Sequence, residues 1–144
     1  MTIKEILNDY KYTDFLESLD PSIKNSINSL HESGVSLETI GTEIANMPSI
    51  GLTTKGVNKW DKNIFQKVLS EVAVLICNES NETELVKKLK SEAGMSTQII
   101  IAGVSHYVGD KLGFAYALCV PFVILSLAII LKAGINVFCK SYRN

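Results

Sequence analysis

Chemistry needs nucleophiles, bases or metal ligands held close together, and this chain of 144 residues carries few of them. There are two histidines, His31 and His106, and three cysteines, Cys77, Cys119 and Cys139. Neither histidine has a second histidine, or a cysteine at ligand spacing, beside it, so a metal centre is not expected. "SHYVGD" sets Ser105, His106 and Asp110 close in sequence. A nucleophilic triad needs serine and base to face each other, and neighbours on a helix point about 100° apart. His106 and Asp110 stand at i and i+4, which is the spacing of a polar pair on one helical face. No Gly-x-Gly-x-x-Gly, Walker or His-Glu-x-x-His pattern is present, so nucleotide and zinc-protease chemistry have no motif to start from. The reading is of a chain that is not an enzyme and has no cofactor.

The cysteines lie far apart, each in an apolar run, where reduced cysteine behaves as a small hydrophobe. They are expected as three inert thiols, with Cys139 open to acylation should the chain lie on a membrane. The sequons Asn78-Glu79-Ser80 and Asn81-Glu82-Thr83 matter only in a secreted eukaryotic chain and read as coincidence. The first stretch, "MTIKEILNDYKYTDF", is charged and amphipathic with no apolar signal core. A cytoplasmic protein, or one on the inner face of the cytoplasmic membrane, is the expectation.

Composition points away from a polyelectrolyte partner. Fourteen Lys and Arg stand against fifteen Asp and Glu, a net charge of −1, so no global basic field draws the chain to nucleic acid. Only 20% of residues are charged and 47% are hydrophobic. The mean hydropathy is +0.20, and the apolar excess sits in the last third.

The elements that must position these residues read as helices. Thr2 and Glu5 form a capping-box pattern ahead of Ile3, Ile6, Leu7 and Tyr10, and a short second turn runs through Phe15 and Leu16. Asp20 is a natural N-cap with Pro21 at the first helical position, followed by Ile23, Ile27 and Leu30 on one stripe. Gly34 stops that helix, and Ser36 caps the next, which carries Leu37, Ile40 and Ile44. Residues 20 to 47 therefore predict a helical hairpin. "MPSIGLTTKG", with Pro48, Gly51 and Gly56, is the clearest breaker. From about Trp60 the apolar spacing is helical again, and "VAVLIC" is apolar all round. "NESNETELVKKLKSEAG" is a charged surface helix ending at Gly94. "MSTQIIIAGVSHYVG" follows, with "QIIIAGV" the one stretch whose β-branched content suits a strand. The class predicted is all-α, a small bundle of about seven helices, with an amphipathic domain over residues 1–94 and an apolar C-terminal hairpin over 95–144.

The hairpin holds the sharpest feature. "LGFAYALCVPFVILSLAIIL", Leu112 to Leu131, contains no charge and lies between Lys111 and Lys132. A twenty-residue helix rises about 30 Å, the thickness of the hydrocarbon core of a bilayer. Pro121 is either a kink within one long helix or the first residue of a new one. A polar line through Lys132, Asn136 and Lys140 runs backward into Ile129 and Leu125, so the segment before Lys132 has no wet face. As a single span, Lys87, Lys88, Lys90 and Lys111 face Lys132, Lys140 and Arg143, and the positive-inside rule selects no orientation. As a hairpin with the preceding arm, only Lys111 lies at the tip, the distribution expected for insertion from the cytosol. The residues singled out for lipid or interface contact are Phe114, Tyr116, Leu118, Phe122, Ile124, Leu125, Leu127, Ile129 and Leu131.

Two resemblances add to this. "GVSLETIGTEI" with "TTKGVNKW" resembles a helix-turn-helix, which implies phosphate contacts by Lys55, Lys59 and Lys62. Its connecting "ANMPSIGL" is longer than the usual tight turn. "LDPSIKNSINSLHESGVSLETI", a central amphipathic helix ending near a cysteine, and the terminal "LGFAYALCVPFVILSLAIILKAGINVFC" together are similar to a scattered group of small uncharacterised bacterial helical proteins, and imply a bacterial source with no activity attached. The reading is a non-enzymatic protein whose apolar hairpin associates with or enters a membrane, as an effector or accessory in bacterial conflict. The alternatives are a soluble bundle acting as a protein-binding adaptor or homo-oligomer, and a DNA-binding regulator. The partner expected is membrane lipid or a protein, reached through the apolar segment.

Overall fold

The computed structural model describes residues 3–45, 63–77, 85, 87, 89 and 96–142. The chain is all-α, with no strand among the described residues. Two short helices come first: α1 (Ile3–Leu7) buries Ile3, Ile6 and Leu7, and α2 (Tyr12–Leu16) buries Phe15 and Leu16. The start of α2 is held by the Lys11 amide, which donates to Asp14 Oδ2 at 2.8 Å.

The predicted hairpin forms as α3 (Pro21–Glu32) and α4 (Leu37–Ala45). Asp20 Oδ1 accepts from the Ser22 amide at 2.9 Å, and these bonds hold its carboxyl below the usual aspartate range. At the far end Gly34 takes a φ of +97°. The Gly34 amide donates to the His31 carbonyl and the Val35 amide to the Leu30 carbonyl, both at 3.0 Å. That pair of bonds closes the helix in the left-handed way that favours glycine. Ser36 Oγ then accepts from the Thr39 amide at 3.2 Å and starts α4.

The remaining helices are α5 (Ile64–Cys77), α6 (Thr97–Leu112), α7 (Tyr116–Ala133) and α8 (Ile135–Tyr142). "QIIIAGV" is helical, inside α6: the Ser96 hydroxyl accepts from the Ile99 amide at 3.3 Å and begins the helix there. The last turn of α6 runs past Gly109 to Leu112 and ends at Gly113, φ +77°. The uncharged run is thus not one helix, since Leu112 belongs to α6 and α7 begins only at Tyr116.

Gly134 (φ +93°) separates α7 from α8. The polar line drawn through Lys132, Asn136 and Lys140 is therefore broken, because Asn136 and Lys140 stand on a different helix. Eight helices have bounds among the described residues, against about seven expected. Pro121 lies inside α7, the first of its two readings. The carbonyl that loses its i+4 amide donor to this proline belongs to Ala117, an exposed position in the first turn.

Packing is centred on α7, which lies against α2, α4, α5, α6 and α8. The most extensive of these contacts is with α6, antiparallel across the Gly113–Ala115 turn. One cluster of buried apolar side chains runs from Ile3 to Cys139. It crosses the sequence boundary near residue 94, so both halves of the chain share one core.

Candidate functional site

The residues with chemistry to offer are scattered. Ser105 is fully buried while its neighbours in "SHYVGD", His106 and Asp110, are exposed. The His106 ring stacks on Tyr116 with centroids 4.0 Å apart and planes 23° from parallel. Ser105 Oγ has no hydrogen-bond partner among the described residues. A serine in the core and a histidine on the surface cannot exchange a proton, which is what the 100° rule anticipated.

Two of the three cysteines correct the expectation of inert thiols. Cys77, at the end of α5, and Cys139, in α8, are joined in a disulfide with Cα atoms 5.4 Å apart. Cys139 is therefore not a free acceptor for an acyl chain in this state. Cys119 is the thiol that remains, buried in α7, and burial pushes its pKa up to about 11. At neutral pH it stays protonated and unreactive. The pairing was not legible from spacing, because 62 residues separate the partners and a helix break at Gly134 sets the direction of α8.

The apolar hairpin remains as the candidate element. Among the described residues α7 is the one helix long and apolar enough to cross a membrane. Twelve of its eighteen residues are buried within the bundle. Of the positions singled out from sequence, Leu118, Phe122, Ile124, Leu125, Leu127 and Ile129 are buried, Phe114 and Leu131 are half-buried, and Tyr116 is exposed. In this state the face proposed for lipid is the centre of the core. Phe122 lies 6.3 Å, centroid to centroid, from Phe65 of α5.

The helix places no unmet polar group in that core. Its one buried hydroxyl, on Ser126, donates to the Phe122 carbonyl of the preceding turn at 2.7 Å. The first charged side chain comes at the end: Lys132 Nζ lies 3.4 Å from His31 Nε2 and 5.6 Å from the centroid of the Tyr12 ring. With Lys132 as donor, the imidazole proton is placed on Nδ1, a buried atom with no partner among the described residues. One cation thus fastens the foot of α7 to α3 and the start of α2.

At the other foot, the tip carries Lys111, with its ammonium 5.5 Å from the Tyr107 ring centroid, next to half-buried Leu112 and Phe114. Aromatic rings beside a lysine are the composition of a membrane–water boundary. Gly109 is needed for the turn, since a Cβ there would lie 2.7 Å from the Phe114 carbonyl oxygen. Lys55, Lys59 and Lys62, singled out for phosphate contact, lie outside the described residues.

No protein-family model matches the chain, and neither a curated protein nor a solved structure matches it.

Proposed function

We propose that this protein is a non-enzymatic helical bundle that stores the apolar hairpin α6–α7 inside a jacket of amphipathic helices and acts by delivering it to a membrane. The observation that carries this reading is α7 itself, a membrane-length helix with no wet face and no unsatisfied polar side chain, kept away from water by five other helices. Taking α7 out of the bundle into water would expose eight large apolar side chains, from Leu118 to Ile130. Each costs about 1.5–3 kcal/mol, and the sum, about 12–24 kcal/mol, equals or exceeds the stability of an ordinary domain, about 5–15 kcal/mol. Release thus requires an apolar solvent at hand, which is what a bilayer provides. A bacterial source and a role in conflict between cells fit this reading.

A second reading is a permanently water-soluble bundle that acts as an adaptor or oligomer, with α7 only its core. The burial of twelve of α7's eighteen residues favours it. Flotation of the full chain with phosphatidylcholine–phosphatidylglycerol vesicles, followed by amide hydrogen exchange, separates the two. Membrane delivery predicts co-flotation that resists alkaline carbonate, faster exchange in α1 to α4, and continued protection of α7. A chain that stays at the bottom of the gradient, with the same exchange in every helix, overturns the proposal in favour of the soluble bundle.

A further inference from the structure

The disulfide encloses the hairpin. Cys77 precedes α6 and Cys139 follows α7, so the closed loop between them contains both apolar helices and the turn that joins them. Its two ends are held with Cα atoms 5.4 Å apart, whereas the hydrocarbon core of a bilayer is about 30 Å thick. Both cysteines must lie on the same side of any membrane the loop enters. A chain that leaves one side and returns to it crosses an even number of times.

We propose that the Cys77–Cys139 bond makes α6 and α7 cross a bilayer together, with both ends of the hairpin on one face, and that its reduction frees α7 to cross alone. This rests on the membrane reading above. The partner for α7 has to come from within the loop. Residues 78–92, "NESNETELVKKLKSE", carry seven charged side chains and are unsuited to lipid. That leaves α6, which is shorter and less apolar than α7: its thirteen residues before Asp110 and Lys111 at the tip span about 20 Å, against about 24 Å for the sixteen of α7 before Lys132. The two arms are matched to within about one turn, and each falls short of a typical bilayer by an amount that local thinning accommodates. They are already each other's most extensive neighbours, so the pair can move as a unit.

Reduction needs a dithiol. One thiolate attacks a sulfur of the pair, the other cysteine leaves as a thiolate and takes up a proton, and the second thiol of the reagent then displaces the first cysteine. The products are two cysteine thiols and one oxidised dithiol. The constraint on crossing number disappears with the bond. A single crossing by α7 then sets Lys132 and Lys140 on the side opposite α5.

The test uses the full chain with a peptide tag after Asn144, bound from outside to phosphatidylcholine–phosphatidylglycerol vesicles, floated, and exposed to external trypsin. In the oxidised protein the tag is removed, while the bond after Lys111 at the tip is spared. In the Cys77→Ser/Cys139→Ser variant, or in the wild-type chain treated with dithiothreitol should the variant not fold, a fraction of the tag becomes protected. A protected tag in the oxidised protein overturns the proposal, as does cleavage at Lys111 as fast as in solution. Identical patterns in the oxidised and reduced proteins overturn it too, since the bond then sets no topology. Failure to float in either form is a different result, and removes the membrane reading together with this inference.

Discussion

Gly41 shows how far a local rule reaches. A glycine in the middle of α4 costs about 1 kcal/mol of helix propensity relative to alanine, so the sequence alone marks it as a place to improve. In the folded chain a Cβ at Gly41 would lie 2.5 Å from Cε1 and Cζ of Phe65. The ring has nowhere to go, because Phe65 is 1% exposed and packs against Phe122. Gly41→Ala is therefore expected to destabilise the bundle by about 1–3 kcal/mol through overpacking. The urea midpoint should fall with an unchanged slope, and a raised midpoint would contradict the close approach of α4 to α5. Asp20, Pro21, Gly34 and Ser36 were legible because capping depends on neighbours in the chain. Gly41 was not, because its reason is a ring on another helix.

At the scale of elements, α7 was visible in outline and hidden in role. Its uncharged length is a property of sequence, but a protein core and a lipid tail make the same demand on side chains, so composition could not choose between them. Its boundaries depended on Gly113 and Gly134 taking positive φ, and the second of these made the continuation past Lys132 a separate helix, α8. The core position of α7 has a measurable consequence. Phe122→Ala removes a side chain with no exposure and is expected to cost about 3–5 kcal/mol. Val137→Ala, on the outer face of α8 with 63% of its surface exposed, should stay within about 0.5 kcal/mol. Urea denaturation of the two variants in detergent-free buffer tests this, and comparable losses would place α7 outside the core.

For the whole molecule, the decisive fact is a pairing between distant parts. With three cysteines, sequence offers three ways to form one bond, and none is selected until α5 and α8 lie side by side. Alkylation of the unfolded chain without reductant should add one group, at Cys119, and three after reduction. Three adducts without reductant would remove the bond. Replacing Cys77 and Cys139 with alanine is expected to lower stability by about 2–4 kcal/mol, chiefly by loosening the unfolded chain across a separation of 62 residues. The expectation of a cytoplasmic setting and the presence of this bond pull in opposite directions, because disulfides persist in oxidising compartments.

The hydroxyl of Ser126 bears on all three scales. Because it is bonded within its own helix to the Phe122 carbonyl, it asks nothing of whatever surrounds α7. A buried hydroxyl met within its own helix keeps that bond when the neighbours of the helix change. On the membrane reading proposed above, the jacket of the bundle and the interior of a bilayer make the same demand on that hydroxyl, which is none.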